Sequence, residues 1–372
     1  MRVDTDRRVG RKFSMVVLQP TTRCSWNCDY CYLTTRDQRL EMTPGVADGV
    51  ARGIEAQDRA DPVTVVWHGG EPLSLRRERF ERLLVPFEPL RAAGRVRHSV
   101  QTNAGLISTE WCELFSRHGF SIGVSVDGPE WANAHRRDAG GRPAFHRAMR
   151  GLDTLKRHGL RFTVIAVVTA ETIGRADELV DFFNDLGADR VGFNIEEFEG
   201  ANRREPVITR AAVEQFWASL FRRRAQGMEF RVREIERLLS YLRVARTGRM
   251  PSNRKYEPIP TVAWNGDTVL LSPELAGIQD EAYDNFVIGN VARELLPAML
   301  AQAHDRRYVA EFESALSACA ATCEFYDFCG GAQAGNRYFE HGTFDIAETT
   351  YCVNTQQALV TALHSTVSKE SP

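Results

Sequence analysis

From Ser14 to about Gly200 the chain alternates short apolar, β-branched runs with longer stretches whose apolar residues recur every three or four positions. The short runs fall at residues 15–19, 63–67, 96–101, 121–126, 162–168 and 190–194. Amphipathic stretches lie between them at 43–56, 76–91, 144–158 and 175–186. Near-continuous apolar strands separated by such helices imply a parallel sheet covered by helices, because both faces of each strand are then buried. Six units predict a partial (β/α)6 barrel over residues 14–206, and in α/β barrels active residues gather at the C-terminal ends of the strands. Residues 207–256 read as a helical bridge. Three prolines in Met250-Pro-Ser-Asn-Arg-Lys-Tyr-Glu-Pro-Ile-Pro260 then break the helical pattern. A cysteine-rich module is expected over 257–360, opening with a hairpin turned at Asn265-Gly-Asp267.

Composition narrows the class. The chain is 43% hydrophobic and 26% charged, as for an ordinary globule. A net charge of −2 argues against nucleic acid or an anionic membrane as an obligatory partner. No apolar run approaches the roughly twenty residues of a membrane span. The segment Met1-Arg-Val-Asp-Thr-Asp-Arg-Arg8 has charges without an apolar core, so no signal peptide is expected. Seven of the eight cysteines fall in two ligand-like clusters, which points to metal in a reducing cytoplasm rather than to disulfides. The eighth, Cys112, sits on an amphipathic pattern and reads as a buried structural thiol.

The first cluster, Cys24-Ser-Trp-Asn-Cys28-Asp-Tyr-Cys31, spaces its thiols C-x3-C-x2-C just after the first strand. No further Cys or His lies within thirty residues on either side. A structural zinc closes with four protein ligands, whereas a [4Fe–4S] cluster held by three thiolates keeps one iron open. This spacing, with Tyr30 before the last cysteine, resembles the radical S-adenosylmethionine superfamily. In that family the open iron takes the amino and carboxylate groups of S-adenosylmethionine. One electron then cleaves it to a 5′-deoxyadenosyl radical that abstracts a substrate hydrogen. The resemblance makes Cys24, Cys28 and Cys31 the cluster ligands and places Tyr30 near the adenine.

Polar residues at the other strand ends extend the resemblance. His68-Gly69-Gly70-Glu71-Pro72 matches the family's Gly-Gly-Glu-Pro motif, which holds the methionine amino group. Gln101-Thr-Asn103 ends the third strand, and Ser125-Val-Asp127-Gly-Pro129 ends the fourth, where Ser125 and Asp127 suit ribose hydroxyls. Arg136 and Arg137 follow where relatives aim an arginine at the cofactor's carboxylate, and Arg137 is the preferred of the two; an exposed loop is the alternative for both. Glu196 and Glu197, after the sixth strand, would bind a substrate amine or act as base, or else cap the following turn.

The second cluster is Cys319-x3-Cys323-x5-Cys329-Gly-Gly331, with Cys352 after a spacer. Four thiolates make a closed site that zinc also fits. The region resembles the SPASM extension of peptide-modifying radical enzymes, whose full pattern has seven cysteines and usually two auxiliary clusters. Here Ser272-Pro-Glu-Leu275 stands where the second member of the first cysteine pair would fall, so one auxiliary [4Fe–4S] cluster is expected. That run resembles the branch that forms cyclophanes in ribosomally made peptides. The implied activity is hydrogen abstraction from a precursor peptide and carbon–carbon bond formation. Cyclopropane formation, epimerisation, or sulfatase-maturase-like oxidation of a protein Ser or Cys are the alternatives. The resemblance also implies an external one-electron reductant. About thirteen residues precede the first strand, so leader recognition is expected from a separate protein, from surfaces around 207–260, or not to be needed.

Overall fold

The computed structural model describes residues 7–370 apart from 37, 203, 205, 206 and 249–254. The expected boundary at 206 and much of the proline-marked break at 250–260 thus lie outside the described residues. Ten strands form one sheet. They are β1 (Met15–Leu18), β2 (Val63–Trp67), β3 (Val96–Thr102), β4 (Ser121–Ser125), β5 (Thr163–Val168), β6 (Arg190–Ile195), β7 (Arg231–Val232), β8 (Thr261–Val262), β9 (Asp267–Val269) and β10 (Val287–Asn290). Their order is β10-β9-β8-β1-β2-β3-β4-β5-β6-β7, an open run with β10 and β7 at its edges. Neighbours from β1 to β7 pair in parallel, as Val17 opposite Val66 and Val100 opposite Ile122 illustrate. Each of the six expected strands lies within one residue of its expected ends.

Burial follows the pattern of the sequence. Val16, Val17 and Leu18 are buried in succession on β1, and Val63, Val65 and Trp67 alternate with half-buried residues on β2. Trp67 anchors the core beneath the sheet, with its ring 4.9 Å from Phe80 and its Nε1–H donated to His98 Nδ1 at 3.2 Å. Burial holds His98 down to about 4, so the imidazole is neutral and able to accept.

Three features go beyond or against the sequence pattern. The amphipathic stretch 76–91 is broken into helix Arg77–Leu84, a tight turn at Val85–Phe87 and helix Glu88–Ala92. Pro86 and Pro89 cause the break, since neither can donate the N–H that a continuous helix requires. Strand β7, between helices Arg210–Ala225 and Arg233–Ala245, extends the sheet past β6. Finally, the segment expected to open a separate module continues the barrel sheet. β8 pairs in parallel with β1, placing Thr261 opposite Val17, and β9 and β10 add antiparallel. The segment after β10 docks on helix Pro44–Glu55 at Gly49, where a Cβ would stand 2.3 Å from Val291 O. Only glycine permits that approach. At the other edge, helix Ala358–Glu370 lies along Arg210–Ala225, tied by Arg210 to Gln357 Oε1 and Thr361 Oγ1 at 3.4 Å each.

Candidate functional site

The loop after β1 carries Cys24, Cys28 and Cys31, all partly accessible and none in a disulfide. It is held from several sides. Its base is closed by Thr22 N–H to Leu40 O and Leu40 N–H to Thr22 Oγ1, both 3.0 Å. Its tip is clamped by Asn27 N–H to Arg137 O at 2.8 Å, with Trp26 buried beside Asp138. Asn103, at the end of β3, donates Nδ2–H to Ser25 Oγ at 3.1 Å. Cys28 and Cys31 lie close enough to Cys24 to add to the rise in its pKa, and Cys31 adds to that of Cys28. Burial first, then Glu71, pushes Cys24 up to about 12, and burial pushes Cys28 up to about 11. Thiols in this setting become thiolates only when a cation compensates them, which fits an iron-bound trio.

The turn after β2 shapes the floor. Gly70 has φ +60°, and a Cβ there would lie 2.5 Å from Thr21 O and 2.6 Å from Arg23 O. The turn and the cysteine loop therefore touch backbone to backbone. Glu71 is almost fully buried and locks the contact. It accepts Thr102 Oγ1–H at 2.7 Å, Asn103 N–H at 2.8 Å and Leu73 N–H at 3.1 Å. Burial outweighs these donors and pushes its carboxyl up to about 7. Pro72 begins the next short turn, which Glu71 caps. Gln101 reaches from β3 to donate Nε2–H to Ser125 Oγ on β4 at 2.9 Å.

Asp127 and the arginines behave differently from the expectation. Asp127 is 1% exposed and both its oxygens are engaged. Arg136 Nε and Nη2 donate to it at 2.8 Å each, Val167 N–H donates at 2.8 Å, and the Tyr30 hydroxyl donates to Oδ2. The Tyr30 ring also lies 5.3 Å from the Arg136 guanidinium. The buried guanidinium at this point is thus Arg136, because a buried carboxylate needs a matching charge. Arg137 sits further out and donates to Gly141 O at 3.3 Å.

Beyond β6 the side chains are acidic. Glu196 is 6% exposed and lies 3.2 Å from Arg204 Nε. Burial raises it, with Arg204 opposing. Glu197 receives Nδ2–H from Asn336, yet burial holds it well above the usual carboxylate range, with Glu274 and Glu340 adding repulsion. Two more carboxylates share this space. Glu199 is raised by burial, then by Glu274, Glu197 and Cys31, so it links the acidic group to the first thiol loop. Glu274 accepts from Ser272 Oγ and from Gln333 Nε2 at 3.2 Å, and burial raises it as well. Gln333 and Asn336 start one helix, three residues apart, and so present both amides on one face. Glu199 and Glu274 were not among the expected site residues. Glu199 lies one alternation beyond Glu197, and Glu274 belongs to the Ser-Pro-Glu-Leu run that reads from sequence only as a missing cysteine.

A cavity of about 440 Å³ opens beside these acids, lined by Ile195, Glu197, Phe198, Phe339, Glu340 and Tyr351 among others. On the C-terminal side, Cys319, Cys323, Cys329 and Cys352 all line one smaller cavity. Cys319 lies in the last turn of helix Arg307–Thr322 and Cys323 caps it, Cys329 precedes the Gly330-Gly331 turn, and Cys352 opens a widened helical turn, Cys352–Gln357. Burial pushes Cys329 up to about 11.

Comparison with known proteins agrees with this arrangement. The model of the radical SAM superfamily matches residues 18–183. The uncharacterized protein sll1766 of Synechocystis sp. is 30% identical over 354 residues, covering 91% of this chain and 88% of that protein. The serine-type anaerobic sulfatase-maturating enzyme of Klebsiella aerogenes is 35% identical over 193 residues, which cover 49% of this chain and 46% of that enzyme. The match to that relative thus spans less than half of its length. Among solved structures, native anSMEcpe with bound AdoMet superposes with a TM-score of 0.75 at 19% identity, over 95% of this chain and 98% of that one. Streptococcus suis SuiB bound to S-adenosylmethionine gives 0.66 at 18% identity, over 93% and 78%. These two likenesses concern the fold alone. The sequence matches, joined to a three-thiol loop after the first strand of a parallel sheet, place this chain in the radical SAM superfamily, as an enzyme whose cofactors are S-adenosylmethionine and a [4Fe–4S] cluster.

Proposed function

We propose that the protein matures a ribosomally made peptide, taking a hydrogen from a side-chain carbon and joining that carbon to an aromatic ring of the same peptide. The observation that carries this reading is the 440 Å³ cavity between β6 and the C-terminal helices. It combines an apolar, aromatic wall with carboxylates, as a site for a few residues of extended peptide requires. Glu197 lines it, and Glu199, outside the lining, feels both Glu197 and the Cys31 thiol.

In this reading Cys24, Cys28 and Cys31 hold the open cluster and Cys319, Cys323, Cys329 and Cys352 hold a closed one. The four C-terminal sulfurs line one cavity, as the ligands of a closed cluster would. When bound, the cofactors supply one-electron chemistry able to remove a hydrogen atom from an unactivated carbon. The chain's own residues do the rest. Gly70 and Glu71 fix the backbone against the thiol loop, and Asn103 pins Ser25 beside Cys24. Gln101 and Ser125 offer polar atoms to ribose hydroxyls, and the Asp127–Arg136 pair orients Tyr30. With Arg136 committed to Asp127, Arg137 is left to meet the cofactor's carboxylate. Crosslinking a carbon to a ring removes two hydrogens: one leaves as a hydrogen atom, the other as a proton with one electron. Glu197, Glu199 and Glu274, raised by burial, are suited to accept that proton, and the electron leaves toward the C-terminal thiols. The first electron comes from an external one-electron donor.

The test is anaerobic incubation of reduced enzyme with S-adenosylmethionine and any short peptide encoded beside its gene. The expected product has lost two hydrogens, shows no fragmentation between two linked residues, and does not react with a hydrazide. The identity to sulfatase-maturating enzymes supports a second reading, oxidation of Ser or Cys to an aldehyde. A hydrazide-reactive product with ordinary fragmentation would establish that one instead, and a mass unchanged in H2O but raised by one deuterium in D2O would mean epimerisation.

A further inference from the structure

Among the described residues two arginines are almost fully removed from water, Arg136 at 6% exposure and Arg337 at 1%. Arg136 has the carboxylate of Asp127 at 2.8 Å. Arg337 has none: among the described residues it makes no ion pair with any Asp or Glu. Its guanidinium donates to Ile346 O, to Gly331 O at 2.8 Å and to Cys319 Sγ at 3.6 Å, and it lies 5.0 Å from the centre of the Phe312 ring. Carbonyl oxygens satisfy N–H groups but do not neutralise a charge. A cation buried without a counter-charge costs several kcal/mol, which evolution seldom leaves uncompensated.

The anions available to Arg337 are thiolates. Cys319 is its direct partner, and Cys323, Cys329 and Cys352 line the same cavity. Four thiolates around a [4Fe–4S]2+ core leave two net negative charges on the cluster. An adjacent buried guanidinium offsets one of them where water cannot. The same side chain joins the ligand-bearing segments, since Gly331 follows Cys329 and Ile346 precedes Cys352. Arg237 approaches Cys329 from another side, but it is exposed and its charge is screened by solvent.

We propose that Arg337 is a positioning residue for the C-terminal cluster: its hydrogen bond to the Cys319 sulfur and its buried positive charge raise the reduction potential of that cluster. Both effects have the same sign, because each favours the form carrying one more electron, and hydrogen bonds to sulfur and local charge are established determinants of cluster potentials. This inference rests on the reading that Cys319, Cys323, Cys329 and Cys352 hold a cluster, so the experiment measures that first.

Protein carrying Cys24→Ala, Cys28→Ala and Cys31→Ala isolates the C-terminal site. Iron analysis of this parent should give about four iron per chain. An iron-free or zinc-loaded parent overturns both the cluster reading and the inference. With iron present, a dithionite titration followed by electron paramagnetic resonance compares Arg337→Gln and Arg337→Lys with the parent. Arg337→Gln should shift the oxidised-to-reduced ratio at a fixed solution potential at least tenfold toward the oxidised form, equivalent to 59 mV for a one-electron couple. Arg337→Lys, which keeps the charge, should shift it less. A shift under threefold in Arg337→Gln with iron retained, or equal shifts in the two variants, reduces Arg337 to a structural role and overturns the inference. Should neither variant hold iron, the parent answers directly. With Arg237→Gln added and 15N-arginine incorporated, its reduced cluster should show 15N hyperfine coupling, and absence of that coupling overturns the assignment.

Discussion

Replacing Gly70 by alanine tests whether the turn after β2 sets the position of the thiol loop. Two costs add. An alanine held at φ +60° costs about 1–2 kcal/mol from its backbone conformation. Its Cβ would also stand 2.5 Å from Thr21 O and 2.6 Å from Arg23 O, nearer than side-chain carbons approach carbonyl oxygens. Both neighbours are backbone, so relief requires moving the segment that leads into Cys24, an overpacking cost of about 1–3 kcal/mol. Gly119 supplies the control. It has φ +64° at a helix end with nothing within 4 Å of the added Cβ, so Gly119→Ala carries the conformational cost alone. We expect Gly119→Ala to lose about 1–2 kcal/mol by chemical denaturation and to keep its full iron content. Gly70→Ala should lose about 3 kcal/mol and, after reconstitution, fall from about eight iron per chain toward four, with little cleavage of S-adenosylmethionine. If the two variants match in stability and iron, the backbone contact does not govern the loop and the reasoning is refuted.

Cys352→Ala should reduce reconstituted iron and lower peptide product more than it lowers cofactor cleavage; normal iron and normal product would show that Cys352 is not a ligand. Asp127→Asn leaves the Arg136 charge buried and unmatched, which should cost about 3–5 kcal/mol in denaturant titrations, and a loss under about 1 kcal/mol would contradict the ion-pair account. Glu71 predicts a pH dependence. Its folded carboxyl holds a proton up to about 7 against an ordinary value of 4.5, so folding binds a proton over that window. The associated stability is present below about 4.5 and is lost as pH rises toward 7, about 3 kcal/mol at 1.36 kcal/mol per unit. Glu71→Gln should flatten the fall of Tm between pH 5 and 8, and an unchanged slope would assign the dependence to other groups.

Much of this architecture is legible in the sequence because it rests on local rules. Six β-branched runs needed only their own periodicity to be placed, and C-x3-C-x2-C with Tyr30 carries the family resemblance that implies its chemistry. What escaped was decided by distant neighbours. Whether Arg136 or Arg137 turns inward depends on which guanidinium meets Asp127, a contact spanning nine residues through an irregular loop. Glu274 joins Glu197 and Glu199 only because helix Ala334–His341 brings Gln333 and Asn336 across, more than fifty residues later. β8 looked like the start of a separate unit, since nothing in two residues of strand announces that they pair with β1. Arg337 carries no sequence signal at all; its burial beside Cys319 is purely tertiary.

The central claim is that the thiol loop after β1 drives radical cleavage of S-adenosylmethionine. The direct measurement is 5′-deoxyadenosine formed anaerobically by reduced, reconstituted protein, compared with a Cys24→Ala, Cys28→Ala, Cys31→Ala variant confirmed to be folded. The account predicts steady formation by the native chain and none above background in the variant, with iron falling from about eight to about four per chain. Equal formation by the variant, or none by a native chain holding its full iron, would contradict it.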